Sequence, residues 1–320
     1  MTGQLVISLD FELMWGVRDH RTAARYGKAV LGGREAIPHV LRRFERCGIR
    51  ATWATVGFLF ARHRDEIRDH APRLRPEYSE PGASPYAFVE KGLGRDEAED
   101  PLHYGHSLVA RIAATEGQEI ATHSFSHFCC LEPGHSPEAF AADLAAARSM
   151  AAARGYPIRS IVFARNQMDR TYIAVAAQQG LTFYRGNPPA FAYRARPSCA
   201  NTGMVRAARW LDSIVPVAGR LDYAAPSPAG AAADIPASRF LRPFNARFPT
   251  LSRLRMARIL REIEIAARDG RTYHLWWHPH NMGADTAENL RQLDCVLSVF
   301  TRMRDQYGME SRSMNASIMS

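Results

Sequence analysis

The sequence predicts an α/β fold built on a parallel sheet, either open and doubly wound or closed as a barrel. Three observations predict it. Short apolar runs of strand length alternate along the chain with longer stretches of helical period. Several of the apolar runs end in an acid or a histidine, so the polar chemistry gathers at one end of successive strands. The length of 320 residues suits one barrel with insertions, since roughly 250 residues commonly form a single barrel domain.

Residues 4–10, QLVISLD, read as a buried strand whose functional end is Asp10. A helical pattern follows at about 34–47. ATWATVGF at 51–58 reads as the second strand and QEIATHS at 118–124 as the third. Further strand-like runs are IRSIVFA at 158–164, LTFYRG at 181–186 and RTYHLWW at 271–277. Helical stretches at 137–154, 169–180, 250–268 and 285–304 separate them. Two segments break the rhythm, 71–100 and 187–249, both enriched in proline, glycine, alanine or arginine. They are expected to be long insertions at loop positions of one catalytic domain over residues 1–310. Walls of a substrate site and surface excursions are equally open readings of them. Residues 311–320, SRSMNASIMS, are small and polar and read as a disordered tail.

Composition narrows the class. An apolar fraction of 46% and a charged fraction of 23% are those of an average globular protein, and no apolar run approaches the roughly 20 residues needed to cross a bilayer. The apolar run near the N-terminus meets acids too early for a secretion signal, so a cytoplasmic location is expected. Five cysteines without a CxxC pair argue against a disulfide framework and against a cysteine-built zinc site. The net charge of +9 fits nucleic acid, an anionic membrane surface or a phosphorylated substrate. Arginines carry the excess and are scattered without a reading motif, so no specific nucleic acid is expected. A peripheral contact with the anionic inner face of a membrane stays among the expectations.

Four short segments carry the chemistry. In THSFSH, His123 and His127 stand four apart after a strand, and a helical turn there would let both rings share a metal. Alone, such a pair would as readily cap a helix or bond inside a core. SLDFE adds Asp10 and Glu12, which alternate to the same side of an extended segment. Two histidines and a carboxylate with open positions make a hydrolytic metal site. LWWHP ends a strand at His278, positioned to protonate a leaving group, and FARNQ places Arg165 after another strand, where it could hold a carboxylate ionised.

In that order SLDFE, THSFSH, FARNQ and LWWHP resemble the successive motifs of the polysaccharide deacetylase family, the NodB-like carbohydrate esterases of family 4 type. The resemblance runs from residue 4 to about 280. It implies a distorted (β/α) barrel and one divalent metal ion, zinc first, with cobalt, nickel or manganese as substitutes. It also implies hydrolysis of an N-acyl group on an amino sugar. Carried over, Asp10 is the base, Glu12, His123 and His127 are the ligands, Arg165 is the arginine of the third motif and His278 is the acid. Glu12 departs from the family's usual adjacent aspartates, because Phe11 intervenes, and Asn166 replaces a usual neighbour of the arginine. Asp212, beside Trp210, is the candidate for the acid that orients the last histidine. Trp15, Trp53 and Trp277, with Trp276, lie next to the motifs and could stack on a sugar, although core packing explains aromatics beside strands equally well.

The expected substrate is an acetylated or formylated amino sugar linked to a nucleotide or lipid, a precursor of a surface glycan. Two other readings stay open: a cyclic imide or ureide amidohydrolase of the same fold, and a non-catalytic glycan-binding protein.

Overall fold

The computed structural model describes residues 2–225 and 231–317. Nine strands form one sheet: β1 Gln4–Phe11, β2 Ala51–Thr55, β3 Gln118–Thr122, β4 Ser160–Ile161, β5 Phe183–Tyr184, β6 Ala233–Asp234, β7 Arg239–Phe240, β8 Thr272–Trp277 and β9 Glu310–Arg312. The helices are α1 Ala23–Cys47, α2 Arg64–His70, α3 Tyr86–Lys91, α4 His106–Ala114, α5 Pro137–Ala152, α6 Arg170–Gln178, α7 Gly203–Asp212, α8 Pro249–Arg268 and α9 Thr286–Tyr307. Among the described residues, no helix is long and apolar enough to cross a membrane.

The strand order is β6-β5-β4-β3-β2-β1-β8-β7, and every pairing is parallel. β1 lies at the centre and is buried along its whole length, which is why it reads as an unbroken apolar run. One extended segment joins the two edges of the sheet. The amides of Ile235 and Ala237 donate to Tyr184 and Gly186 on the β5 side, and those of Ser238 and Leu241 donate to His274 and Trp276 on β8. The sheet therefore curls into the distorted (β/α) barrel that the motifs imply.

Several expectations are corrected. The segment 187–249 is no excursion from the sheet, because it contributes α7 and both edge strands, β6 and β7. These strands are two residues long, too short to leave a period in the sequence. The segment 71–100 buries Tyr86, Val89 and Leu93 in the core from α3 and the turn after it. The supposed tail is ordered through Ser317, and residues 318–320 of it lie outside the described ones. β9 pairs with β1 over Gln4–Val6, the edge left free before β2 takes over at Ile7. Met314 is fully buried and its amide donates to Thr52 Oγ1 at 2.8 Å.

α1 begins at Ala23, eleven residues before the expected start near 34. Its glycines conceal the helix from a propensity reading, and packing requires one of them. A Cβ on Gly33 would lie 2.6 Å from His280 Cα and 2.9 Å from the Pro279 oxygen. α1 is thereby laid flush against the segment that follows β8, which fixes the height at which His278 stands.

Candidate active site

Asp10 is on the last turn of pleat in β1 and Glu12 directly follows the strand. Among the described residues, five that are not glycine have left-handed backbone: Leu13 after β1, Ser124 and His127 after β3, and Arg165 and Asn166 after β4. Each such residue costs on the order of 1–3 kcal/mol and persists only where its surroundings dictate it. All five lie at the same end of the sheet, where the candidate chemistry is.

The structure brings Glu12, His123 and His127 together. Glu12 Oε2 lies 3.3 Å from Nε2 of each histidine, and all three residues are buried. The rings converge from an irregular loop instead of the helical turn expected, with centroids 5.1 Å apart. Positive φ at Ser124 and His127, 62° and 59°, supplies the bend that a helix would have given. Asp143 of α5 holds this loop, accepting the Phe125 amide at 2.6 Å and the Ser126 hydroxyl. Gly16 makes room for the carboxylate, since a Cβ there would lie 2.0 Å from Glu12 Cδ.

These residues fit a divalent cation. One ligand atom from each lies within 4.8 Å of the others. His123 Nδ1 donates to the Val162 carbonyl at 2.7 Å, which leaves the Nε2 lone pair directed at Glu12. Two imidazoles and one carboxylate are a donor set suited to zinc and its neighbours. Burial would raise the Glu12 carboxyl, but His278, His123 and His127 together hold it well below its usual range. Burial pulls His127 below the ordinary imidazole range. It also acts on His123, where Glu12 and Asp10 outweigh it and raise the ring. The triad thus accepts a proton or a cation at the same nitrogen.

Asp10 pairs with an arginine that the sequence reading missed. Arg185, just after β5, is fully buried and donates to Asp10 Oδ1 at 2.6 Å and Oδ2 at 2.8 Å. Burial favours the neutral Asp10, yet the Arg185 charge, with His123 and His278, brings the carboxyl below its usual value. Ser8 Oγ also accepts from Arg185, at 3.1 Å, and lies 2.8 Å from His274 Nε2. The position of Arg185 at a strand end in LTFYRG was the available signal. Arg165, expected from the sequence to hold a carboxylate, pairs with Asp19 and Glu132, while Asp10 is held by Arg185. Its neighbour Asn166 does face the site, accepting from Arg185 at 2.9 Å.

His278 stands opposite, with Nε2 3.8 Å from Asp10 Oδ2 and 3.6 Å from Glu12 Oε1. Its Nδ1 is 3.1 Å from Asn281 Oδ1, and this amide, not Asp212, orients the ring. Asp212 accepts from Tyr193, Ala218 and Arg239 in a separate network. Three tryptophans are also corrected. Trp53 and Trp277 are fully buried and Trp15 nearly so, with its indole donating to the His103 carbonyl at 2.7 Å. Alternation along β8 turns His274, Trp276 and His278 inward, and sends Trp277 out against Phe44 of α1. The half-buried indole at the site is Trp276, which lies 4.1 Å from the Arg185 guanidinium.

No family model and no curated protein matches the chain. Solved structures do. A Mycobacterium smegmatis protein described as a polysaccharide deacetylase superposes with a TM-score of 0.59 at 11% identity, over 98% of this chain and 89% of that one. A Pseudomonas aeruginosa PAO1 protein described likewise gives 0.55 at 9% identity, over 98% and 87%. The fold is that of the polysaccharide deacetylases. Puue allantoinase shares it, with a TM-score of 0.53 at 10% identity over 97% of this chain and 86% of its own. Within the polysaccharide deacetylase fold, the acids and histidines described above occupy the strand ends where an α/β barrel presents its chemistry.

Proposed function

We propose that the protein is a metal-dependent hydrolase that removes an acetyl or formyl group from the nitrogen of an amino sugar. One observation carries the reading: Glu12, His123 and His127 converge beside an Asp10 carboxylate clamped by Arg185, with His278 Nε2 within 4 Å of both acids. Glu12, His123 and His127 would hold the ion, which when bound polarises an acyl carbonyl and acidifies a water molecule. Asp10, kept ionised by Arg185, accepts the proton of the attacking water. His278 uses Nδ1 on Asn281 and so presents Nε2 to the departing amine, to which it gives a proton. The products are a free amino sugar and acetate or formate.

Trp276, Tyr193 and Phe240 line the cavity beside the site, which supports a sugar as the substrate. The proposed class is the precursor expected from the sequence, an amino sugar carried on a nucleotide or lipid. Allantoinase in the same fold favours one alternative, a cyclic ureide. Metal-loaded protein incubated with N-acetyl and N-formyl amino sugars, free and nucleotide-linked, alongside hydantoin and allantoin, separates the two. Loss of an acyl mass from a sugar is expected. Ring opening with no acyl release would overturn the sugar reading.

A further inference from the structure

A cavity of about 220 Å³ opens beside the Asp10–Arg185 pair. Asn166 and Trp276 form part of its wall and both touch Arg185. Phe240 and Trp276, also in the wall, each pack edge-on against His278 with centroids 5.6 Å away. The cavity therefore lies one layer of side chains from the proposed proton donor and acceptor.

Its lining includes six arginines, Arg165, Arg194, Arg196, Arg209, Arg239 and Arg242, and no acid. Two of the six have carboxylate partners: Arg165 with Asp19 and Glu132, and Arg239 with Asp212 and Glu262. Among the described residues, Arg196 and Arg209 donate only to neutral oxygens, of Phe191 and of Ala192 and Asn201. Arg194 and Arg242 make no ion pair among the described residues, and the remaining residues of the chain include no acidic side chain. Arg196, Arg209 and Arg242 are half-buried, so solvent neutralises them incompletely. Burial, followed by the charges of Arg196 and Arg242, draws Arg209 below the ordinary guanidinium range. Like charges gathered around a recess and left without an acid are costly unless an anion enters.

We propose that this cavity binds a phosphate or diphosphate group of the substrate, so that the amino sugar deacylated at Asp10 and His278 is a glycosyl phosphate ester. The inference rests on the deacylase reading and adds to it the group by which the substrate is held. A single carboxylate would leave most of the four unpaired guanidinium groups unmatched. A diphosphate offers several anionic oxygens to planar donor forks, the geometry that guanidinium recognises best.

Calorimetric titration of the full-length protein with inorganic pyrophosphate tests the site without requiring turnover. The double variant R194Q/R242Q should weaken binding roughly tenfold or more, the loss of charge-assisted hydrogen bonds. R253Q, which changes an exposed arginine on α8 outside the lining, is the surface-arginine control and should bind as the parent does. R209Q serves as the second variant should the double variant fold poorly. Unchanged pyrophosphate binding in a folded R194Q/R242Q protein would overturn the proposal. In the activity assay, the same double variant should raise KM for a diphosphate-linked N-acetyl sugar roughly tenfold over R253Q. Inorganic phosphate that binds as tightly as the diphosphate-linked sugar would assign the cavity to a free anion and overturn the substrate assignment. Acyl release with equal KM for neutral and phosphorylated sugars would sink the cavity assignment and leave the deacylase reading intact. Arginine-dependent pyrophosphate binding without acyl release from any sugar would do the reverse.

Discussion

Arg185 holds both carboxylate oxygens of Asp10, at 2.6 and 2.8 Å, across 175 residues of sequence and inside the barrel. Burial alone would raise the carboxyl, but the charge and hydrogen bonds of Arg185, together with the charges of His123 and His278, bring it below its usual range. A depressed carboxyl contributes stability above its unfolded value and loses it as pH falls through the folded one. Arg185→Met should therefore cost about 3–5 kcal/mol near neutral pH, the usual penalty for stranding a buried charge, and less in acid. The acid limb of kcat/KM should move to higher pH in the variant. A limb that stays in place would remove Arg185 from the tuning of Asp10.

Purified protein should carry about one equivalent of divalent metal, and His123→Ala should remove it. Elemental analysis after dialysis reads this directly. Full metal content in the variant would show that the ion is bound elsewhere.

Gly16→Ala offers a gentler test of the same centre. The added methyl would overlap the Glu12 carboxyl, with a Cβ 2.0 Å from Cδ, and so push the ligand aside without touching a histidine. Metal affinity should fall by roughly 10–100-fold, the scale of a disturbed supporting shell, while the melting temperature changes little. Unaltered affinity would mean that Glu12 is not a ligand.

Asp143 anchors the loop between the two histidines from a wholly buried position, and burial raises its carboxyl to about 6 despite the hydrogen bonds it accepts. Its unfolded value is about 4, so its contribution is fully present below about pH 4 and declines as pH rises through 6. Asp143→Asn removes that titration. Denaturant unfolding should show the stability difference between parent and variant shifting in the variant's favour from pH 4.5 to 7. A difference constant with pH would contradict the assigned direction.

Adjacent tryptophans on β8 should behave oppositely. Trp277→Ala empties a fully buried site and should cost about 3–5 kcal/mol of stability. Trp276→Ala leaves a folded protein with a higher KM, since this indole lines the cavity and rests on Arg185. Equal destabilisation by the two would put Trp276 in the core.

Local order made much of this legible in the sequence. β1, β2, β3 and β8 announce themselves by apolar runs, and Asp10, Glu12, His123, His127 and His278 mark the ends of β1, β3 and β8. What escaped depends on neighbours far along the chain. Arg185 matters because β5 ends beside β4 in the sheet and aims across the barrel at β1, and its place at a strand end, the one local signal, does not say which carboxylate it meets. Asp143 lies within an ordinary helical pattern. Trp276 and Trp277 are interchangeable until the register of β8 against β1 fixes which face points inward. Gly33 reads as a helix breaker until the backbone it admits, at Pro279 and His280, is seen.

The segment from Ile235 to Leu241 joins one edge of the sheet to the other, and Ala237, Ser238, Arg239 and Phe240 within it also line the arginine cavity. Closure of the barrel and the shape of the cavity are thus one set of backbone hydrogen bonds. An occupant of the cavity should therefore brace the seam of the barrel and slow exchange of the Ala237 and Ser238 amide hydrogens with solvent, beyond the protection that their bonds to backbone carbonyls already give. Occupancy and the resistance of the seam to opening are two readings of a single equilibrium.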